Sequence, residues 1–421
     1  KTLASTTESV LARSREIKEQ AMVKNIALDP KRNEVIWIGI AINGRSWAIP
    51  VGHPCGEVLV PEERGDGSTI PPSGHRKILK SGEESMAKAR YNIPARFSDP
   101  PEQLSRTEVF EALRPIFFDQ SLVKIGHNVK FDARTIAKYY GELPVGPFHD
   151  TMLAQHVLDE NISSFRLTSL ISSNFGDHNP YARHGKVGAV ISYTPFSVAC
   201  EYVHLDARWT WLLYRELFGR LTPPLAQVFH QDVAVLEVLM SMEDLGMRID
   251  AGGLSALGVE LDTKMRDIHS EITAITYPGF NPDSVKDKRT FLFSSKRDGG
   301  LGLKPNKSTE KGQASVDHDS LKAMSSKHPI VPLFLDWAEY KKMKSTYVDG
   351  LLEKVNKGRL HPNFHLHRTA TGRLSSSDPN LQNVPRDTSI RGLFGADDNS
   401  VLIVADYDQI ELRIMAMFSR D

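Results

Sequence analysis

The sequence has little cysteine and no long apolar run. Only two cysteines, Cys55 and Cys200, occur among 421 residues, and their spacing matches no metal site. A disulfide framework is therefore excluded, and a reducing, intracellular compartment is expected. No uninterrupted apolar segment is long enough to span a bilayer, and no signal-peptide pattern is present. We therefore expect no membrane partner.

An excess of charge of one sign is also missing. Lys and Arg together number 52, as do Asp and Glu, so the formal net charge is zero. Any contact with nucleic acid must therefore come from local basic patches. The composition, with 40% hydrophobic and 25% charged residues, is that of a globular protein. The length predicts two to four domains, and the first residue, Lys1, indicates a fragment or a processed product.

The first half of the chain alternates predicted strands and helices, which indicates an α/β domain. Asn43-Gly44 lies between two apolar runs and favours a hairpin, because both turn residues accept positive φ. Residues 1–20 are interpreted as a tail, and about 53–105 as an insertion with a short helix near Glu83 to Tyr91. Strands are predicted at 35–42, 45–51 and 122–126, and helices at 107–118, 127–140, 151–158, 167–175 and 197–218.

Pro223-Pro224 marks a boundary, beyond which the chain is mostly helical. Gly246 ends the first helix of this region. A flexible, lysine-rich loop is predicted at 296–315. Helices are predicted at 228–245, 253–275, 284–293 and 332–355.

The stretch from His365 to Asp421 carries the strongest pattern. Its run VLIVA (Val401 to Ala405) contains no Gly or Pro, which predicts a strand buried on both faces. Asp406 would then lie at the exposed end of a central strand, well placed to hold a catalytic cation. A helix is predicted next, from apolar residues at helical spacing: Ile410, Ile414, Met417 and Phe418.

Two strings in this stretch resemble a known family. DYDQIELR (Asp406 to Arg413) resembles motif A of the family-A, DNA polymerase I-like enzymes. TATGRLSSSDPNLQNVP (Thr369 to Pro385) resembles the segment that grips the primer–template in that family. The two lie in the family's order, and long strings in register are a specific signal. A phage-type member fits the same plan.

The resemblance implies roles for residues around motif A. Asp406 would ligate two catalytic Mg²⁺ ions, with the Tyr407 carbonyl as a second ligand and Mn²⁺ as an alternative metal. Glu411 matches the steric gate that rejects a 2′-hydroxyl. Arg391 matches an arginine that reaches the primer end or the incoming nucleotide. Asp408 departs from the family's usual serine and adds a carboxylate near the metals.

The gripping segment suits sequence-independent recognition of DNA. A polymerase must accept any base pair, and the minor groove offers acceptors at purine N3 and pyrimidine O2 in every pair. Side-chain donors can test these acceptors without reading the sequence. Arg373, Gln382 and Asn383 are the donors that we expect to do so. Gly372 would allow a close approach of the backbone.

Two further strings resemble the proofreading 3′-5′ exonucleases of the DnaQ-like, ribonuclease H-like fold. HNVKFD contains Asp132, and YVHLD contains Tyr202 and Asp206. The resemblance makes Asp132 and Asp206 metal ligands and Tyr202 the residue that orients the attacking water. The spacing of four places Tyr202 and Asp206 on one helix face. Asp150, in HDTML, is interpreted as structural.

The first motif of that exonuclease family, Asp-x-Glu on the opening strand, is absent. Its two positions are taken by Met22 and Lys24, and an ammonium would repel a cation. Asp29 and Glu34 lie past the expected position and are interpreted as surface residues. We therefore expect a retained exonuclease fold with a degenerate site.

The region YKKMKSTYVDGLL resembles the helical thumb of the same polymerase family. Lys341 and Lys344 are the preferred candidates for phosphate contacts, which are independent of sequence and sensitive to salt. The alternative is that these lysines lie on a solvated face and make no contact with DNA. Further candidates of the same kind are Lys304, Lys307, Lys311 and Lys342.

The predicted fold is an α/β ribonuclease H-like (DnaQ-like) exonuclease domain, followed by a mostly helical thumb and the first strand–helix elements of an α+β polymerase palm. The predicted bounds are 1–20 for the tail, 21–222, 223–358 and 359–421. The predicted function is DNA-directed DNA polymerisation in replication, acting on primer–template DNA and deoxynucleoside triphosphates in the cytoplasm, associated with the nucleoid. Because the fingers and most of the palm are missing, the fragment alone is expected to be inactive in polymerisation.

Two alternatives stay open at this point. One is a 3′-5′ exonuclease acting alone, which would shorten single strands in a metal-dependent reaction. The other is a non-enzymatic, DNA-binding half of a split polymerase, in which a separate chain supplies the fingers and the remaining palm.

Overall fold

The computed structural model describes residues 34–42, 45–57, 97–176, 191–310, 312–385 and 388–420, and the backbone alone of 22–29, 75–78 and 91–94. Their contacts group the chain into two compact units. Unit 1 comprises Lys1–Ser241 and His365–Leu374, and unit 2 comprises Met242–Phe364 and Ser375–Asp421. The predicted tail and the Asn43-Gly44 turn lie outside the described residues, as does most of the predicted helix near 83–91.

Unit 1 is built on a mixed five-stranded sheet with the strand order β3-β2-β1-β6-β7. The first three strands are antiparallel neighbours, whereas β6 runs parallel to β1 and β7 parallel to β6. This order brings the opening strand to the centre of the sheet, as the predicted ribonuclease H-like fold requires. The strands are Met22–Asp29 (β1), Glu34–Ile42 (β2), Arg45–Pro50 (β3), Lys124–Gly126 (β6) and Phe148–Asp150 (β7), with a separate pair, His75–Ile78 (β4) and Tyr91–Pro94 (β5).

The helices of unit 1 follow the predicted positions. Local signals set their ends: Gly141 closes α2 with a φ of 75°, and the Asp150 side chain caps α3 by accepting from the Met152 amide at 2.8 Å. The helices are Arg106–Phe117 (α1), Val129–Tyr140 (α2), Thr151–Leu158 (α3), Leu167–Phe175 (α4), Phe196–Arg220 (α5) and Pro223–Leu245 (α6), the last of which continues into unit 2.

Both faces of the sheet are covered, so β2 is buried along almost its whole length. One face packs Ile38 and Ile40 against α1 residues such as Phe110. The other face receives α5, and here Gly39 matters. A Cβ on Gly39 would lie 3.0 Å from the Val203 carbonyl, so its absence allows α5 to approach the strand closely.

Unit 2 is mostly helical. Short strands complete it: β12-β8-β9 form one antiparallel sheet, and β10 pairs with β11. The helices are Ala251–Ile275 (α7), Val285–Phe293 (α8), His318–Ala323 (α9), Ile330–Lys342 (α10), Gly350–Leu352 (α11), Thr388–Arg391 (α12) and Ile410–Ser419 (α13). The strands are Met247–Ile249 (β8), Arg359–Leu360 (β9), Asn363–His365 (β10), Ser375–Ser377 (β11) and Phe394–Gly395 (β12).

Two predicted elements of unit 2 differ from the structure. The single helix expected at 332–355 is interrupted, because Met343–Asp349 form a π-helical segment between α10 and α11. The strand predicted at Val401 to Ala405 is wrong: residues 401–407 have no regular structure, and Val404 is 93% exposed. A strand buried on both faces needs neighbouring strands and covering layers. Among the described residues, no strand pairs with this run.

In the described part of the chain, no helix combines the length and the apolarity needed to cross a bilayer.

Candidate functional site

The exonuclease-like residues lie around the centre of the unit 1 sheet. Met22 and Lys24, which stand at the positions of the missing carboxylates, belong to the central strand β1. In the sheet, Met22 pairs with Lys124 of β6 and Lys24 pairs with Ile40 of β2. The neighbouring strand β6 leads directly into α2, which carries Asp132. The backbone therefore places the degenerate first motif beside the second motif.

Asp150 fixes the turn between β6 and α2. Its Oδ1 accepts hydrogen bonds from the amides of Asn128 at 3.0 Å and Met152 at 2.8 Å, and its Oδ2 accepts from the Val129 amide at 2.8 Å. Asn128 itself has a left-handed φ of 61°. Burial raises the pKa of the Asp150 carboxyl, although these amides act in the opposite direction. These contacts support the structural interpretation of Asp150.

The second and third motifs differ in what surrounds their carboxylates. Asp132 is buried, in the first half of α2. Tyr202 and Asp206 share one face of α5, where the Tyr202 phenol is hydrogen-bonded to the Asp206 carboxylate. Burial, followed by the charge of Asp206, raises the pKa of Tyr202. The phenol is therefore protonated at neutral pH.

The described residues do not form a metal centre around these groups. None of their clusters brings together three or more His, Cys, Asp or Glu side chains that could hold a cation. Asp132 and Asp206 supply two carboxylates, and the sequence has lysine at position 24 of the central strand. Two carboxylates are fewer than the four acidic ligands that the resemblance implies for a two-metal exonuclease site.

The two candidate lysines of the thumb are both ion-paired. Lys341 pairs with Asp283. Burial, the largest single effect, raises the pKa of Asp283, but the hydrogen bonds from Lys341 and Trp337 together with nearby lysine charges outweigh it and lower the pKa. Lys344 lies 3.1 Å from an Asp349 oxygen and 3.5 Å from an Asp262 oxygen. Any phosphate would therefore compete with these carboxylates for the ammonium groups.

The remaining candidate lysines lie in other settings. Lys307 pairs with Asp317 at 3.2 Å. Lys304 and Lys342 are exposed, and Lys311 lies outside the described residues.

The gripping segment is divided between the two units. Arg373 is exposed and belongs to unit 1, where the Thr369 hydroxyl donates to the Arg373 carbonyl. The neighbouring Gly372 has a φ of 71°, a conformation that favours glycine, and apart from its chain neighbours no atom of the described residues lies within 4 Å of the position of a Cβ. Within unit 1, His156 Nε2 lies 3.0 Å from the Thr369 carbonyl and anchors this segment.

The second half of the gripping segment belongs to unit 2. Leu381–Asn383 form one turn of 3₁₀-helix, capped by the Asn380 side chain, which accepts from the Gln382 amide at 3.2 Å. The side chains of Gln382 and Asn383 are exposed on this turn. Arg391 turns its guanidinium towards the same segment: Nε donates to the Pro385 carbonyl at 2.9 Å and Nη2 donates to the Val384 carbonyl at 3.3 Å.

The motif A residues are exposed and begin the last helix. Tyr407 is 81% exposed, and Asp406 and Glu411 are also at the surface. Gln409, with a left-handed φ of 52°, precedes α13, and the Arg413 guanidinium donates to the Asp408 carbonyl at 2.8 Å. Asp406 thus lies on an irregular segment rather than at the end of a strand. Its carboxylate and the Tyr407 carbonyl are oxygen donors of the type that Mg²⁺ prefers.

Two family models match the chain in sequence order. The model for 3'-5' exonuclease matches residues 97–222, and the model for DNA polymerase family A matches residues 252–421. Residues 252–421 are thus similar to the family-A DNA polymerases. Within the family, the matched exonuclease region begins after β1, the strand that carries Met22 and Lys24.

Relatives of this chain include DNA polymerase I of Synechocystis sp., with 37% identity over 76% of this chain and 33% of the relative. The thermostable DNA polymerase I of Thermus thermophilus is 42% identical over 66% of this chain and 31% of the relative. The chain thus spans about a third of the length of the curated relatives that it matches. Family-A polymerases depend on a metal, generally Mg²⁺.

One solved structure extends the comparison to the fold. The POL domain of Pol1 from M. smegmatis, in complex with DNA primer-template and dNTP, has a TM-score of 0.66 and 24% identity. The match covers 98% of this chain and 62% of that one. It shows that this chain shares the fold of that POL domain over the matched region.

One feature of the gripping segment was not predicted from the sequence. Tyr347, in the string that resembles the thumb, donates its hydroxyl to the Asn383 carbonyl at 2.8 Å. The two residues are 36 positions apart, so no local periodicity links them. In the sequence, this contact is indicated only by the order of the thumb-like string and the gripping segment along the chain, which is the order of the family.

Proposed function

We propose that this chain is the part of a DNA-directed DNA polymerase that carries the exonuclease fold, the thumb and the start of the palm. The proposed bounds are about 21–222, 223–358 and 359–421. The whole enzyme adds deoxynucleotides to a primer 3′-end under the direction of a template, in DNA replication. The order of the two family matches, with Asp406–Arg413 inside the second, is the observation that carries this proposal.

Primer–template DNA and deoxynucleoside triphosphates are the proposed substrates. Arg373, Gln382 and Asn383 have exposed side chains, which supports their assignment as minor-groove donors. Lys341 and Lys344 are proposed to exchange their carboxylate partners for phosphates. Such an exchange supplies affinity without sequence preference.

Asp406 is the proposed catalytic residue of the palm. Magnesium would be held by the Asp406 carboxylate and the Tyr407 carbonyl, and when bound it would neutralise charge on the reacting phosphates. Glu411, the second residue of α13, is proposed to pack against the sugar of the incoming nucleotide. A sugar that carries a 2′-hydroxyl would then be rejected by steric overlap.

A degenerate exonuclease site is the second part of the proposal. The Tyr202–Asp206 pair and the buried Asp132 favour an exonuclease ancestry. The sequence has lysine at position 24, where the resemblance implies a carboxylate, and this replacement disfavours metal binding. We therefore expect the chain to leave a labelled single-stranded oligonucleotide intact in the presence of Mg²⁺ or Mn²⁺. Shortening that Asp132→Ala abolishes would contradict this part and favour a stand-alone exonuclease.

The apolar surface at residues 401–418 is proposed to receive the fingers and the remaining palm. Ile403 is 88% exposed and Phe418 is 79% exposed, and side chains of this size form contiguous exposed patches where another element packs. A separate chain or a continuation of the same polymerase could supply that element. The proposed cellular location, in the cytoplasm and associated with the nucleoid, follows from DNA as the substrate.

Primer extension tests the main proposal. The polymerase that contains this chain is compared with its Asp406→Ala variant on a labelled primer–template with Mg²⁺ and all four deoxynucleotides. We expect extension by the unaltered enzyme and a loss of at least about a thousandfold in the variant, because a metal ligand is removed. The chain by itself should bind the primer–template without extending it. Extension that survives the substitution would overturn the assignment of Asp406.

A further inference from the structure

Three consecutive backbone carbonyls in the gripping segment are held by side chains. The Asn383 carbonyl accepts from the Tyr347 hydroxyl at 2.8 Å. The next two, of Val384 and Pro385, accept from the Arg391 guanidinium at 3.3 Å and 2.9 Å. The two donors come from different elements, the π-helical segment and α12. All of these residues belong to unit 2.

These side-chain hydrogen bonds take the place of the backbone hydrogen bonds that a neighbouring strand would supply. Leu381–Asn383 form a single 3₁₀ turn, so the carbonyls that follow it have no strand partner among the described residues. The Tyr347 ring is on the same short segment as Val348, which is 1% exposed and belongs to a core cluster against which Leu381 also packs. The hydroxyl is thus presented from a rigid support.

The three contacts border the exposed side chains of Gln382 and Asn383. A turn without such contacts would let two long polar side chains sample many positions, and that freedom would be lost on binding. Fixing the backbone beforehand lowers this entropic cost. The π-helical geometry is itself typical of functional sites.

We propose that Tyr347 is a positioning residue for DNA binding, which fixes the backbone at Asn383 so that Gln382 and Asn383 are aimed at the minor groove. Arg391 shares this role through the two following carbonyls. The inference rests on the proposed function, since it names how the gripping segment is held. In this proposal Arg391 holds the protein backbone through two carbonyls, in addition to any contact that it makes with substrate.

The first measurement is the binding of a fluorescein-labelled primer–template to the full chain, followed by anisotropy. Tyr347→Phe keeps the ring and removes the hydroxyl, so we expect affinity to fall about fivefold, the value of one hydrogen bond. Tyr340→Phe is the matched control on α10, because the described residues give the Tyr340 hydroxyl no hydrogen bond. It should bind as the unaltered chain does.

A double-mutant cycle separates positioning from direct contact. If Tyr347 acts through Asn383, Tyr347→Phe should have no further effect in an Asn383→Ala background. An undiminished fivefold loss in that background would show that the hydroxyl meets DNA itself and would overturn the proposal. For Arg391→Gln, positioning predicts an unchanged salt dependence of binding, whereas loss of a phosphate contact would lower the slope by about 0.9.

Hydrogen exchange without DNA tests the same contact independently. Tyr347→Phe should increase exchange at the amides of residues 381–391, and Tyr340→Phe should leave them unchanged. Exchange that is the same in both variants would overturn the proposal, as would unchanged DNA binding by Tyr347→Phe. Absence of primer–template binding by the unaltered chain would instead overturn the proposed function, and with it this inference.

Discussion

The Lys344 ammonium lies 3.1 Å from an Asp349 oxygen, one turn further along the same π-helical segment, and 3.5 Å from an Asp262 oxygen. The pKa of Lys344 is raised by the hydrogen bond to Asp349. The lysine is therefore charged and already partnered before any phosphate arrives. DNA binding at this position is an exchange of one anion for another.

Lys344→Gln should weaken primer–template binding and lower the slope of its salt dependence by about 0.9, because one phosphate contact is lost. Asp349→Asn should strengthen binding about twofold, since a competing carboxylate is removed. Titrations by anisotropy at several salt concentrations check both. Lys264→Gln, which breaks the exposed ion pair with Glu260, is the control. Equal slopes for Lys344→Gln and the control would remove Lys344 from the DNA interface.

Asp150→Asn should destabilise unit 1 by about 2–3 kcal/mol, because an amide nitrogen would face a backbone amide. The remaining oxygen can still accept from Asn128 and Met152, but the Val129 amide would lose its acceptor. Urea unfolding followed by fluorescence measures the change. Asp159→Asn, an exposed aspartate at the end of α3, should be nearly neutral. Similar losses in both variants would contradict the proposed support of the turn.

We expect the free energy of unfolding to fall in acid because of the imidazole of His127. Burial lowers its pKa to about 4, whereas the ordinary value is 6.5. Between these values the unfolded chain binds more protons, so the free energy of unfolding falls as the pH falls from 6.5 towards 4. Between pH 7 and pH 5 this group alone should contribute a loss of up to about 2 kcal/mol.

His127→Asn provides the comparison for that prediction. An asparagine amide can still donate to the Thr151 hydroxyl, which His127 Nδ1 meets at 2.9 Å. Urea midpoints measured at pH 7 and pH 5 should differ less in this variant than in the unaltered chain. An equal pH dependence in the two proteins would show that His127 titrates normally.

Gly246 and Gly358 share a left-handed backbone but differ in their surroundings. Their φ values are 67° and 77°. A Cβ at position 246 would lie 2.7 Å from the Leu360 carbonyl, whereas at position 358 no described residue other than the chain neighbours lies within 4 Å of one. Gly358→Ala should cost only the backbone strain, about 1 kcal/mol. Gly246→Ala should cost at least about 2 kcal/mol more, by urea unfolding. Equal losses in the free energy of unfolding for the two variants would argue against the close approach of position 246 to the Leu360 carbonyl.

Helices of unit 1 were predicted well because their signals are local. The predicted bounds 151–158 and 167–175 are those of α3 and α4. Gly141 was expected to close α2, and its left-handed φ confirms this. The spacing of Tyr202 and Asp206 also sufficed to place both on one face of α5, where they are hydrogen-bonded.

Elements that depend on distant partners were predicted less well. The run at 401–405 has the composition of a buried strand, but pairing and coverage come from other parts of a protein, and composition cannot supply them. The same reason explains why Tyr347 was not singled out, since its acceptor at Asn383 is remote in sequence. The roles of Asp406, Glu411 and the DNA-binding residues stay predictions.

The exposure of Val401 to Ala405 has a consequence for the purified chain. Five successive uncharged residues, three of them β-branched and none of them proline, form a template for edge-to-edge assembly between molecules. With a formal net charge of zero, the chain also lacks the electrostatic repulsion that would keep such segments apart. Its colloidal stability should therefore be limited by this one segment, and its shelf life in solution should shorten steeply with concentration.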